Sequence, residues 1–574
     1  DPKVNLPGRD ENGEVFHATI PGMNLAVELM RNGTATDLER AGQVMDAVFE
    51  SQERREGAAH FGNFKWERED EAVEDLNAVH FTIMPLIRAL HDIGGKLPED
   101  LRQRAEKGIR FGLQAIARID VHLRYTTIAA ADIFDTCIGG ELLGDDTVIA
   151  RGRDKLRRWL AFTDRSGTFY EYNCPGYTGM SIERLAELSK LTADPETRVL
   201  ARVFAARMGL SAFLHAHPST GRWVGPFSRA YQPQVACQSP PEIGWMRSWL
   251  ENGSLPEWLS GALESKPLPL FVQETSSTDD RQMMSSYLCD DFAMGVATGD
   301  LSSQANRFVE GESSPFIVHS RCEEEVAVVV SKYIVDEKWL GDFRTTPSRS
   351  NMQLQPDEGV FRGVQDGTRM LGFYAPRVIG ARQPVSGLKL ALIWQRRDLV
   401  DEIWVDDTRV EALPFDVVEG STVVVGSGDA WIAVRPLTRT HLSYAPPLRL
   451  IERKGMLGLE VYNYEGAPKT FWELGWPGSF YQGLPQCGFY AEVASRSEYA
   501  KGSEFARDVA TGTVRDEAEQ RFTWDGGDER CRWTVEYERD GRRLGLEVDL
   551  MRFDLMRRWT ESGELSLPML ESPL

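Results

Sequence analysis

Up to about residue 265, apolar positions recur at helical intervals. Leu38, Ala41, Met45, Val48 and Phe49 fall on one face, Ile109, Leu113 and Ile116 repeat the spacing, and so do Leu200, Val203, Phe204 and Met208. Leu76, Val79 and Ile83 continue it as far as Pro85, which lacks an N–H and is expected to disturb that helix. The pattern predicts roughly eight to eleven helices with short connections, no fixed-length repeat and almost no strand. Beyond this point the period changes to two. Leu388, Leu390, Leu392 and Trp394 alternate with other residues, as do Leu544, Leu546, Val548 and Leu550. "VAVVV" at 326–330 and "STVVVGSGDAWIAVRPL" at 421–437 are β-branched, the second broken by a Gly-Ser-Gly-Asp turn. Strand follows strand without intervening helices, so the sheets are expected to be antiparallel.

These two halves predict a multidomain α+β chain: a helical domain over residues 1–275 and antiparallel β-sandwich structure over 276–574, with "SKPLPLFVQETSSTDD" at 265–280 as the connection. Serial helices followed by large sheets fit an incomplete (α/α) toroid joined to a β-sandwich. A helical bundle carrying an unrelated sandwich module is the alternative. An incomplete toroid leaves an open groove floored by helix ends and loops, a shape suited to a polymer.

Composition narrows the function. Hydrophobic residues make up 42% of 574 and charged residues 26%, as in globular chains. The formal net charge of −22 argues against nucleic acid as a partner, though an acidic surface can still hold a local basic cleft. No apolar run reaches the roughly 18 residues of a membrane span. The seven cysteines are scattered and form no CxxC, so neither a zinc ribbon nor a disulfide framework is indicated. "HAH" at 215–217 looks like half a metal site, but no third ligand stands near it in the sequence. No cofactor or metal is expected. Residue 1 is Asp, which reads as a processed or trimmed chain.

Chemistry concentrates in "TFYEYNCPGYTGMSIERLAEL" at 168–188. Pro175 and Gly176 block an earlier helical start, so Tyr177 sits near a helix N-terminus. The N–H groups and dipole there favour an anion, either a tyrosinate or a substrate carboxylate. The segment resembles the toroid polysaccharide lyases, the heparinase II/III-like and exo-alginate-lyase-like enzymes. These carry a glutamate and then a Gly/Ser-Pro-x-Tyr segment opening a toroid helix. Glu171, Pro175 and Tyr177 match it here. The resemblance implies Tyr177 as catalytic acid, and often base. Those lyases also carry an Asn-His pair some fifty to sixty residues upstream. His122 occupies that place, but Val121 stands where the asparagine would, which leaves Asn173 or Asn77 to supply the amide.

The implied reaction is β-elimination at a uronic acid. It needs the carboxylate neutralised, a base for the C5 proton and an acid for the leaving oxygen. Tyr177 as acid, His122 as base or carboxylate partner and Asn173 as amide donor meet these needs; Glu171 is a further catalytic candidate, its structural alternative being to orient the loop by an ion pair. Arg124 or Arg229 would bind the carboxylate in bidentate fashion. Asn77 and His80 share a helix face at i, i+3. Tyr125, Tyr231 and Tyr287 are further candidates for substrate contact, as is Arg307, and Trp66 offers a stacking face for a sugar ring. The expectation is therefore a polysaccharide lyase on an acidic glycan, secreted or periplasmic, with neither nucleic acid nor membrane as partner. A glycoside hydrolase would instead need a carboxylate pair, drawn from Glu171, Asp132, Asp290 and Asp291. A non-catalytic glycan-binding protein would account for the aromatics and the sheets, but not for the Glu-Asn-Tyr cluster at a helix mouth.

Overall fold

The structure is a computed structural model that describes residues 4–11, 14–300, 311–342, 354–377, 383–470, 473–474, 484–521 and 530–566. Arg307 and most of the aromatic stretch 471–483 lie outside the described residues.

A short hairpin, Gly8–Glu11 with Glu14–His17, leads into eight long helices. These are α1 (Thr19–Asn32), α2 (Ala35–Phe49), α3 (Ala78–Ile93), α4 (Glu99–Ile119), α5 (Thr126–Leu143), α6 (Asp146–Ser166), α7 (Pro175–Leu191) and α8 (Pro195–Leu214). Three shorter ones follow: α9 (Gln232–Val235), α10 (Ile243–Glu251) and α11 (Ser260–Glu264). The odd-numbered long helices pack in series, α1 on α3, α3 on α5 and α5 on α7. The even-numbered helices pack outside them, α2 on α1, α4 on α3 and α5, α6 on α5, and α8 on α6 and α7. This is an (α/α) toroid arc of two concentric layers. Burial agrees with it: every residue of α5 from Thr126 to Gly140 is buried, as expected of a helix covered on all sides.

Two local expectations change. Pro85 does not end α3, which runs through it to Ile93. A proline inside a helix costs about 3 kcal/mol. Here Val79, Ile83, Leu86, Ile87 and Leu90 are all buried around it, and that packing outweighs the lost hydrogen bond. In α8, Val203 turns out to be 56% exposed, and the inward stripe is Ala201, Phe204, Ala205, Met208 and Ala212.

The sheet half begins at Leu270, inside the expected connection. Leu270–Ser277 is the edge strand of a nine-stranded antiparallel sheet. Its alternation of exposed Phe271 with buried Val272 is the strand signal that its polar Ser/Thr tail obscured. The sheet runs in space from Leu270–Ser277 through Gln282–Leu288, Phe292–Ala297, Phe316–Cys322, Glu325–Val335, Val385–Trp394, Met456–Lys469 and Leu448–Arg453 to Phe415–Asp416. A seven-stranded sheet faces it. Leu388, Leu390, Leu392, Val423, Val425, Ile432 and Phe489 are among the residues that fill the space between the two. On the outer side of the second sheet lie a helix, Gly502–Ala510, and a five-stranded sheet. Trp533 stacks on Phe373 at 3.9 Å there, and Tyr537 on Tyr490 at 3.8 Å. Among the described residues no helix is long and apolar enough to cross a membrane.

The halves dock through residues 224–235. Phe227, Ala230 and Val235 pack on Ile317, Val328, Val330 and Ile393 of the large sheet. Phe227 and Ser314 exchange backbone hydrogen bonds of 3.0 and 2.8 Å, and Ala230 N–H donates to the Glu312 carbonyl at 2.9 Å. Gly295 lets the chains approach this closely, because a Cβ there would stand 1.5 Å from the Gly225 carbonyl oxygen. Gly295→Ala therefore has no room without separating the halves. We expect it to lower unfolding free energy in urea by about 3 kcal/mol or more.

Candidate functional site

The N-terminal ends of three inner helices meet at the docking seam. Asn77 precedes α3, Tyr125 precedes α5 and Tyr177 lies in the first turn of α7. Pro175 opens α7 and forgoes an N–H that would have had no helical partner, while Cys174 before it is extended. Asn77 Nδ2 donates to the Tyr125 hydroxyl at 3.2 Å. Asn77, Tyr125, Tyr177 and Tyr231 are all half-buried, and the part-exposed surface they form at the seam is the candidate recess.

Beneath them lies one buried cation. Arg229, 2% exposed, donates from Nε to Glu312 Oε2 at 2.6 Å and from Nη1 to Glu171 Oε1 at 2.7 Å. Its guanidinium carbon is 4.1 Å from the centre of the Tyr177 ring and 5.5 Å from that of Tyr125. Such cation–π contacts add to the ion pairs when desolvated. Glu171 is anchored a second time, because its Oε2 accepts the Thr127 backbone N–H at 3.1 Å, at the positive end of α5. The Tyr177 hydroxyl reaches Glu312 Oε1 at 3.1 Å and the Tyr231 hydroxyl at 2.5 Å.

Burial sets the protonation states. It drives the Tyr177 phenol well above its ordinary value, with Arg229 opposing, and pushes Tyr231 up to about 12. Tyr125 is also raised by burial. Burial works against the Arg229 charge, yet Glu312, Tyr177 and Glu171 together hold it well above the usual arginine range. Glu312 is raised by burial even against the pull of Arg229. The recess thus holds three neutral phenols over a locked guanidinium. Chemically this is a proton-donating, proton-relaying surface.

Of the residues singled out in the sequence, Tyr177, Glu171, Arg229, Tyr231, Tyr125 and Asn77 come together here. Others do not, and several roles need correcting. Asn173 has no amide to offer a substrate. It is buried, its Nδ2 donates to the carbonyls of Val224 (2.8 Å) and Pro226 (3.0 Å), and its Oδ1 accepts the Trp223 indole N–H at 2.5 Å. With φ of 44° it is a left-handed turn residue that pins the docking loop. His122 is exposed, edge-on to Phe162, with Nδ1 accepting the Arg124 N–H, and none of these contacts reaches Tyr177. Burial and neighbouring Arg124 lower its pKa. Among the described residues the phenol cluster has no imidazole partner. Glu171 and Arg229 are sealed below the recess, so both support the phenols rather than grip a ligand in the open.

Arg124 lies over the Tyr170 ring and pairs with Asp280 at 3.2 Å, which commits its charge to a β-turn. His80 is buried against Asp135 at 3.2 Å inside the toroid. Burial raises Asp135 to about 6. Trp66 packs on Phe81 at the start of α1, where its carbonyl accepts the Thr19 N–H. Tyr287 packs beside Phe292 at the margin of the sandwich core. The carboxylates weighed as a hydrolase pair are scattered. Asp132 is buried against Arg151 and Lys155, Asp291 pairs with Arg321, and Glu171 is held by Arg229. In "HAH", His215 bonds Ser286 and Glu274, while His217 bonds Thr220 and the Cys289 carbonyl. Among the described residues no three His, Cys, Asp or Glu side chains converge as a metal set.

Sequence reasoning missed Glu312. It stands 135 residues beyond Tyr177, in a Gly/Ser-rich run with no period and no motif, and only the docking of the two halves brings it in.

A family model described as a domain of unknown function (DUF8769) matches residues 9–239. No curated protein matches. Among solved structures the chain is similar to heparinase III (10% identity, TM-score 0.43), covering 93% of this chain and 82% of that one. It is also similar to the chondroitin AC lyase of Streptomyces coelicolor A3 in complex with chondroitin sulphate (10%, TM-score 0.42, 92% and 84%). A third is a Paenibacillus xanthan lyase (9%, TM-score 0.40, 92% and 60%). Likenesses of this extent give no residue-by-residue correspondence.

Arg229→Met would leave Glu171 and Glu312 buried without their cation, and we expect it to destabilise the fold by about 3–5 kcal/mol at neutral pH. Glu312 already binds its proton more tightly when folded than when unfolded. Stability therefore falls as pH rises from the ordinary carboxylate value through the raised one. Without Arg229 that fall becomes steeper. Urea unfolding across the acid-to-neutral range measures both effects.

Proposed function

We propose that this chain is a polysaccharide lyase that cleaves a uronic-acid-containing glycan by β-elimination, with the Tyr177 phenol cluster moving the proton. The observation that carries this reading is the setting of the Tyr177 hydroxyl. It is half-open to the recess, bonded to Glu312 and Tyr231, and lies over the Arg229 guanidinium. A phenol kept neutral well past its ordinary range is a competent acid for a departing glycosidic oxygen. The resemblance of Glu171, Pro175 and Tyr177 to the toroid-lyase segment supports the same reading.

Elimination also needs the substrate carboxylate neutralised, so that charge can build at C5 in an enolate-like intermediate. Asn77 is the amide placed for this. It is half-buried at the recess, and one of its two Nδ2 hydrogens goes to Tyr125. The N-terminal ends of α3, α5 and α7 add positive partial charge on the same side. A hydrolase fits less well: among the described residues the two carboxylates nearest the recess, Glu171 and Glu312, are buried and both bond Arg229 rather than standing astride a sugar. A glycan polymer is met outside the cytoplasm, so the same reading makes the chain secreted or periplasmic.

Incubation with a panel of uronate glycans tests the proposal. Cleavage should create the ultraviolet absorbance of a conjugated C4=C5 unsaturated uronate. New reducing ends without that absorbance would indicate hydrolysis and overturn the reading. Tyr177→Phe should retain fold and glycan binding and lose turnover by about 10²–10⁴-fold. Wild-type turnover in this variant would also overturn it.

A further inference from the structure

The five-stranded sheet carries a charge on its apolar face. Its strand Leu555–Thr560 pairs with Arg542–Asp549 so that Arg558 stands directly opposite Leu546, and Thr560 opposite Leu544. Directly opposed residues share a face. Leu544 and Leu546 belong to the core beneath the sheet, so Arg558 points inward with them. It is 2% exposed and reaches the large sheet, where its Nη1 lies 3.9 Å from Met283 Sδ. Its Nε is buried without a hydrogen-bond partner, and its Nη2 bonds no group among the described residues. These two atoms form one edge of the guanidinium, with parallel N–H groups. Among the described residues no carboxylate compensates this cation. The charge that acts on it is Arg281, of the same sign, and burial together with that repulsion lowers Arg558 to about 10. Arg281 is exposed and donates from Nη1 to the Leu555 and Met556 carbonyls at 3.3 and 3.0 Å. Asp280, next to it in sequence, is already committed: it pairs with Arg124 at 3.2 Å and accepts the Ser277 hydroxyl at 2.9 Å.

A guanidinium in apolar surroundings is costly unless a counter-charge meets it. We propose that Arg558, with Arg281 as its outer cation, is a binding site for one oxyanion, a sulfate or carboxylate group. Two parallel N–H groups match two oxygens of such a group, whereas a chloride ion meets them at a single point. The Met283 thioether takes the Nη1 side and leaves the Nε–Nη2 edge to the ligand. Near-complete burial sets the size: a sulfate or carboxylate suits that edge, and a sugar reaches it only through a charged substituent. The chain as a whole, at −22, repels anions, so the attraction has to come from this local pair of cations. A bound oxyanion ties the five-stranded sheet, through Arg558, to the large sheet, through Met283 and the turn that carries Arg281. The site does not depend on the lyase reading. Free sulfate and the acidic substituents of a glycan offer the same chemistry, and the test below separates them.

The test uses the full chain at constant ionic strength, set with sodium chloride so that screening does not change. Equilibrium dialysis with labelled inorganic sulfate, and in a second arm with a sulfated uronate disaccharide, counts the ligand bound. The wild type should hold one more of the ligand per chain than Arg558→Met, and its thermal transition should rise with that ligand to a plateau. Arg558→Met should lose the saturable rise. Without ligand it should melt above the wild type, because the uncompensated charge is gone and its replacement is apolar. Arg281→Gln, at an exposed position, should weaken binding by about threefold or more. Saturation by free sulfate assigns the site to the bare anion, and saturation by the disaccharide alone assigns it to a glycan substituent; both support the site. Binding of neither ligand overturns it. So does an Arg558→Met variant that binds as the wild type does, or that melts below it without ligand. Where Arg558→Met does not fold, Arg281→Gln decides, and unchanged affinity there overturns the site.

Discussion

The ion triplet of Glu171, Arg229 and Glu312 is the constraint on which the rest of the site depends. Three buried charges are costly to desolvate, and geometry decides whether their attraction compensates. Here the geometry is tight, with charge-assisted bonds of 2.6 and 2.7 Å on different nitrogens of one planar group. Each member belongs to a different segment. Glu171 comes from the lead-in to α7 and is tied to α5 through Thr127. Arg229 comes from the docking loop, and Glu312 from the threshold of the large sheet. One guanidinium therefore sets where the toroid, the loop and the sandwich stand relative to one another. Its face supports the Tyr177 ring, whose hydroxyl bonds Glu312 and Tyr231.

The docking of the halves follows from this need for position. Glu312 meets Arg229 where the 311–314 segment lies in register with 227–230, and three further features keep it there. Lys332, fully buried, donates to the Ser313 carbonyl and approaches Ser314 Oγ at 3.4 Å. Gln232 bonds Gln395 across the seam at 2.5 Å, and Gly295 admits the Gly225 backbone. Asn173 pins the far end of the same loop. Polar groups buried this densely specify one arrangement, because any slip leaves a charge or an amide unpaired. The seam gives up some apolar packing for that exactness of placement.

This explains what could be read from the chain and what could not. Helical and strand periods are local, so the two-layer helices and the alternating strands at 388–394 and 544–550 were legible. Pro85 misled because helix continuity there is a tertiary matter, settled by burial of its neighbours. The edge strand at 270–277 misled because its second half is Ser and Thr rather than apolar. In the site, Tyr177 was legible because proline, glycine and the helix start are adjacent in sequence. Asn173 looked equally chemical, yet its left-handed φ and three buried hydrogen bonds make it a turn pin, and a residue type alone does not separate those roles. His122 stood at the expected spacing but faces outward, since spacing along a chain says nothing of which way a loop turns. Glu312 had no local signal at all.

Among the described residues no imidazole joins the phenols, so proton affinity at the seam is set by burial and by Arg229. Phenols shielded from water hold their protons too firmly to act as bases alone, and burial makes this worse for all three tyrosines. The same desolvation raises the proton affinity of the Glu312 carboxylate beside them. Arg229 limits that rise, so Glu312 is kept between a surface carboxylate and an isolated buried one. Glu171 is the second acid on the same guanidinium. The two carboxylates of the triplet are therefore not equivalent: Glu171 is anchored twice, and Glu312 is shared with a phenol.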